Sequence, residues 1–147
     1  MATGAAIARA CKIEARTLAA LNDIDYGAWE FASHREMQES NPALFAAWFA
    51  TPQLVRFPDG ESLQDLAARV ADAFRFIVGR HANETVVVVG HDSANRVLLL
   101  LSLDMPLSGY WRLAQEPCCI NEIDIADGRI RVRRVNETHH LAGIGSA

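Results

Sequence analysis

The chain lacks a CxxC cysteine pair, a membrane-length apolar run, an excess of basic charge and any internal repeat, linker or low-complexity stretch. Each absence removes a class of protein. The three cysteines, Cys11, Cys118 and Cys119, are odd in number, and the two neighbours are poorly placed to bridge each other. Neither a zinc site nor a disulfide framework is indicated, and reduced, cytoplasmic cysteines are the default expectation. The opening Met1–Ile7 has no basic region and no bulky apolar centre, so it does not read as a signal peptide. No apolar stretch approaches the roughly 20 residues of a membrane helix. Lysine and arginine total 14 against 18 aspartates and glutamates, a formal charge of −4 that argues against a nucleic-acid partner. A small anionic substrate stays compatible, because the charge inside a pocket need not follow the total. His139–His140 has no carboxylate company, so no metal site is expected there.

What is present fits one domain spanning 1–147. Half of the residues are hydrophobic and 22% are charged, the balance of a globular chain. A chain of this size buries roughly 68–70% of its unfolded surface, enough for a core. The most informative stretch is Val86–Arg96. Four consecutive valines are too short and too β-branched for a helix and read as a strand buried on both faces, as in a parallel sheet. Gly90 breaks the run, and a second apolar stretch, Val97–Leu103, reads as a helix. His91 sits at this strand–turn–helix junction, where α/β sheets place ligands and helix N-termini offer free N–H groups to anions. A turn histidine satisfied by backbone would occupy the same place.

Around this junction the pattern is mainly helical. Ala2–Cys11 is alanine-rich and reads as a helix. A short extended piece near Thr17–Leu21 leads into an acidic, aromatic loop, Asn22–Glu30, of the kind that carries function. Arg35–Gln38 and Ala43–Ala50 read as short helices parted at Asn41–Pro42, with Phe45, Trp48 and Phe49 as packing anchors. Ser62 with Asp65 resembles a capping box. Leu63, Leu66, Ala67, Val70, Phe74, Ile77 and Val78 then hold one helical face. Met105–Leu113 reads as a short helical link with Trp111 in the core. Cys118–Ile125 and Arg129–Val135 read as strands joined by an Asp127–Gly128 hairpin turn, followed by a tail from Asn136 that frays.

Three stretches stand out together: the acidic loop Leu21–Glu30, the turn Pro58–Ser62 and the Val86–Arg96 junction. In this order and spacing they resemble the histidine phosphatase superfamily, which includes the cofactor-dependent phosphoglycerate mutases, from about Ala2 to Leu141. The resemblance implies a three-layer α/β/α sandwich, phosphoglycerate mutase-like, with a mostly parallel sheet. It also implies phosphoryl transfer through a phosphohistidine, with no metal and no cofactor, on a small phosphorylated metabolite. His91 matches the non-nucleophilic histidine that stabilises the transferring oxygens, and Asp23 matches the acid, usually glutamate, that protonates the leaving oxygen. Such transfer needs donors around the equatorial oxygens and a proton source at the leaving group. Glu30 is the competing acid. Tyr26, Gly60, Glu61, Ser62 and Ser93 match positions near the substrate pocket, and Asp92 reads as a cap for the following helix.

The sequence also departs from the pattern. The family's nucleophile lies in an Arg-His-Gly motif after its first strand, and no such motif occurs here. Arg80–His81–Ala82 mimics it, but at the end of an amphipathic helix. His34, His139 and His140 also lack a strand–turn context. On this alignment residues 1–147 correspond to an N-terminally truncated domain, inactive alone, whose Val86–Val89 strand is left with an unpaired edge suited to homo-oligomerisation. Phosphatase activity is expected over mutase activity, because Ile24 and Asp25 stand where mutases carry basic residues. Arg56, Arg96 and Arg112 are cations available to line a pocket. The alternative is a non-catalytic phosphate-binding or oligomerising form of the fold.

Overall fold

The computed structural model describes residues 2–143; the end of the tail expected to fray, 144–147, lies outside the described residues. Five α-helices and one hairpin order the described chain: α1 (Ala2–Cys11), α2 (His34–Ser40), α3 (Pro42–Ala50), α4 (Leu63–Arg80), α5 (Asp92–Ser102), β1 (Ile120–Ala126) and β2 (Arg129–Glu137). Short 3-10 turns at Ala19–Leu21, Gly27–Trp29, Pro52–Leu54, Leu107–Arg112 and His139–Leu141 link them. No described helix is long and apolar enough to cross a membrane.

Helix α4 forms where the periodicity places it. The Ser62 side chain accepts from the Asp65 N–H, and the Asp65 carboxylate accepts from the Ser62 N–H at 2.9 Å. Two free donors of the first turn are thereby satisfied. Leu63, Leu66 and Val70 are fully buried and meet Val97 and Leu100 of α5 in one core. Helices α2 and α3 are separated by Asn41, which caps α3 through its side chain while Pro42 takes the first helical position. Aromatic rings fill the space beyond: Trp48 lies 5.0 Å from Phe57 and 5.2 Å from Tyr110, centroid to centroid. Trp48 is an anchor as expected, whereas Phe49 is 44% exposed.

The hairpin turn at Asp127–Gly128 has positive φ at both residues, 52° and 70°, which matches the twist of the flanking strands. The two strands pair antiparallel, Ile125 opposite Ile130.

Four expectations need correction. Val86–Val89 belongs to no ladder among the described residues, and its valines are 38–57% exposed. A strand is defined by its neighbours, and the sheet among the described residues is the two-stranded hairpin alone. The described residues are thus mixed α and β without the parallel sheet. Nearer the N-terminus, Ala19–Leu21 is a 3-10 turn rather than extended chain. Trp111 is half-exposed, and its neighbour Tyr110 is the fully buried ring. Consecutive residues of a 3-10 turn point about a third of a turn apart, so only one of the two faces inward. Finally, Asp92 does not cap α5. It is the first helical residue, after His91 at the N-cap, and its carboxylate binds Arg96 one turn on at 2.9 Å.

Leu66→Ala is expected to lower unfolding stability by roughly 2–5 kcal/mol through the cavity it leaves. Gly79 sits in α4 with nothing within 4 Å of an added Cβ. Gly79→Ala should therefore raise stability by about 0.4–1 kcal/mol. Urea titrations of both variants check the pair.

Candidate functional site

Two loops make the site's floor by packing backbone on backbone. Gly27 has φ 53°, and a Cβ there would lie 2.1 Å from the Pro58 carbonyl oxygen. A Cβ on Gly60 would lie 2.5 Å from the Asp25 carbonyl oxygen. Only glycine permits this approach. It lets the Ala28 N–H reach the Pro58 carbonyl at 2.9 Å and the Glu61 N–H reach the Asp25 carbonyl at 2.9 Å. The Asp25 N–H returns to Glu61 Oε2 at 3.0 Å, and the Asp25 carboxylate accepts from the Gly27 N–H at 2.8 Å.

The sequence-predicted residues divide by what their side chains do. Glu61 is held by a fork from Arg69, Nε to Oε1 at 2.8 Å and NH2 to Oε2 at 2.7 Å. That guanidinium holds its carboxyl below the ordinary glutamate value. Ser62 is committed to the cap of α4, and Gly60 to the loop contact. Asp23 presents a different picture. Its carbonyl accepts from Arg69 at 2.7 Å, while its Oδ1 is buried without a hydrogen-bond partner among the described residues.

His91 stands at the start of α5, as its N-cap residue. It is exposed, takes extended backbone (φ −103°, ψ 167°), and its side chain makes no capping bond. The first intrahelical bond of α5 runs from the Asn95 N–H to the His91 carbonyl at 2.9 Å. The N–H groups of Asp92, Ser93 and Ala94 precede that bond, as the first donors of any helix do. Ser93 is buried. It accepts from the Tyr110 hydroxyl at 2.9 Å and lies 3.4 Å from the Tyr26 hydroxyl. Tyr26 thereby joins the acidic loop to the first turn of α5. Burial raises the Tyr26 pKa despite the Ser93 bond, and the nearby charges of Asp23 and Asp92 raise it further. Burial raises Tyr110 in the same way. Tyr26, Ser93, Asp23 and the His91 turn are thus one neighbourhood.

Of the expected cations, Arg56 pairs with Asp65 at 2.7 Å and Arg112 is exposed. Arg96 is nearly buried between Asp92 and the carbonyls of Tyr110 and Leu113, with Trp111 5.1 Å from its guanidinium carbon. Sequence reasoning missed Arg69. Its position between Leu66 and Val70, at the border of the apolar stripe, was the available signal. Glu30, the competing acid, is exposed. Two surface concavities, one beside Glu116 and His139 and one between α4 and the hairpin, include neither His91 nor Asp23.

Residues 1–138 match the family model of the histidine phosphatase superfamily (branch 1), and the chain belongs to that family. It is 31% identical over 139 residues to phosphoserine phosphatase 1 of Hydrogenobacter thermophilus, covering 95% of this chain and 66% of that one. It is 26% identical over 116 residues to an adenosylcobalamin/alpha-ribazole phosphatase of Salmonella typhimurium, covering 79% of this chain and 57% of that one. Among solved structures, Bacillus stearothermophilus YhfR superposes with a TM-score of 0.87 at 26% identity, covering 92% of this chain and 67% of that one. The chain spans about two thirds of the length of these relatives or less.

The Glu61–Arg69 pair sets a pH dependence. A carboxyl whose folded pKa is depressed contributes stability that is complete above its unfolded value and is lost as pH falls through the folded one. Glu61→Gln should cost about 1–3 kcal/mol at pH 7. The gap between wild type and variant should close as pH drops below the ordinary glutamate value of 4.5. Thermal melts from pH 7 down to the acid limit of folding measure that gap.

Proposed function

We propose that the chain carries the acid and oxyanion-stabilising part of a phosphatase acting on a small phosphate monoester. In this reading Asp23 gives a proton to the leaving oxygen and then activates water. His91, with the free N–H groups at the start of α5, holds the equatorial oxygens of the phosphoryl group. The observation that carries the reading is Asp23 Oδ1, a buried carboxylate oxygen left without a protein partner beside Tyr26. Such a group is costly in a structural role and available in a chemical one. Membership of a family whose relatives here include phosphoserine and alpha-ribazole phosphatases supports the substrate class. Tyr26 and Ser93 shape the wall between acid and histidine, while Gly60, Glu61 and Ser62 act from behind by fixing the loop. For the whole domain we propose the family's three-layer sandwich, in which Val86–Val89 would pair as a strand of a mostly parallel sheet. No histidine of residues 1–147 stands in the Arg-His-Gly setting of the family nucleophile, so these residues alone are proposed to bind phosphate without turnover.

A second reading, association without catalysis, is favoured by one observation: four consecutive, partly exposed valines with no ladder partner among the described residues. Such a segment is a template for another strand.

Inorganic phosphate titrated into labelled residues 1–147 should shift the amide signals of His91–Ala94, and His91→Ala should weaken binding about tenfold, the size of one charge-assisted contact. Sedimentation should remain that of a monomer. Turnover of p-nitrophenyl phosphate that disappears in His91→Ala would overturn the expected inactivity. Concentration-dependent self-association without phosphate binding would favour the second reading.

A further inference from the structure

Arg69 is the cation closest in bonding to Asp23, and its hydrogen bonds show what it is for. A guanidinium has five N–H donors and no acceptor. Nε and one NH2 hydrogen go to the two oxygens of Glu61, at 2.8 and 2.7 Å. The other NH2 hydrogen goes to the Asp23 carbonyl at 2.7 Å. The two NH1 hydrogens go to the carbonyls of Ala20, at 3.0 Å, and Asn22, at 2.8 Å. All five donors are used, on one carboxylate and three carbonyls of the segment that carries Asp23.

An arginine so committed has no donor left for a phosphoryl oxygen. Glu61 is equally occupied, because Oε2 also accepts from the Asp25 N–H at 3.0 Å. We propose that Arg69 and Glu61 are positioning residues that clamp the backbone of Asp23, and that neither touches the phosphate. The clamp fixes Ala20, Asn22, Asp23 and Asp25 against α4. The Asp23 side chain is meanwhile left free of protein partners on the oxygen that the phosphatase reading assigns to proton transfer. The inference rests on that reading for the purpose of the clamp, but its geometry can be tested separately.

The planar fork is the essential feature. A lysine ammonium carries the same charge on three donors and cannot reach both Glu61 oxygens and three carbonyls at once. In residues 1–147, Arg69→Gln should speed amide exchange about tenfold or more at residues 20–25, while α5 and the hairpin keep their protection, since a local contact governs local opening. The carboxyl carbon signal of Asp23 should move to the position of a mobile aspartate. Arg69→Lys should show the same loosening, and Glu61→Gln a smaller one. Phosphate affinity, read by titration at His91–Ala94, should stay within about threefold in Arg69→Lys, because no phosphate contact is removed. Arg75→Gln, at an exposed pair on α4, is the control.

Restored protection and Asp23 signal in Arg69→Lys would overturn the fork. Exchange rising evenly through the whole chain would overturn a local clamp. A tenfold loss of phosphate affinity in Arg69→Lys with the loop intact would make Arg69 a ligand instead. Exchange and the carboxyl signal are read without substrate, so a chain that binds no phosphate would count against the phosphatase reading while leaving the clamp measurable.

Discussion

The close approach of the loops at Gly27 and Gly60 is the constraint on which the site depends. Two chains can lie backbone to backbone only where no side chain intervenes, and these glycines remove the obstruction from both sides. Everything polar in the floor follows from that approach. The Asp25 and Glu61 backbones come within reach of each other, so the Glu61 carboxylate is delivered to the Asp25 N–H and to Arg69. The site is therefore assembled from peptide groups first and side chains second. A loop held by its own backbone keeps Asp23 in place without using the Asp23 carboxylate as a structural bond.

Helix α4 links this floor to the core. The same helix that buries Leu63, Leu66 and Val70 carries Ser62 and Asp65 at its cap and Arg69 at its flank. Packing energy from the apolar stripe thus fixes where the guanidinium stands, and hydrogen bonds set its direction. On the other side, α5 performs the same service for His91. Its buried Ala94, Val97 and Leu100 seat the helix, while Arg96 ties the first turn, through Asp92, to the carbonyls of Tyr110 and Leu113. Tyr26, Ser93 and Tyr110 then connect the two halves through hydroxyls.

How much of this could be read from the sequence follows the range of each interaction. The capping box at Ser62, the Asn41–Pro42 break and the Asp127–Gly128 turn are local, decided within four residues, and all were legible. So was the helix that starts after His91, because a glycine followed by a new apolar run marks a break and a restart. The valine run was legible as non-helical, but not in pairing, because ladder partners are supplied from elsewhere. Trp111 was read as core because the sequence does not tell which side of its 3-10 turn packs inward; Tyr110 is the ring that does. Arg69 was invisible as a site residue: a cation at the edge of an apolar stripe looks like solvated surface until Glu61 and three distant carbonyls arrive.

The disposition of charge gives the site its character. Arg69 is spent on Glu61 and the Asp23 segment, Arg96 on Asp92, and Arg56 on Asp65. Each of these arginines near the loops is neutralised by a carboxylate before any anion arrives. On the phosphatase reading proposed above, the phosphate meets His91 and the first peptide N–H groups of α5, with Asp92 beside them drawn toward Arg96. Without that pull, a carboxylate at the first position of α5 would compete with an anion for the helix N-terminus. On the phosphatase reading Arg96 therefore acts indirectly, by holding aside the Asp92 carboxylate that it binds at 2.9 Å.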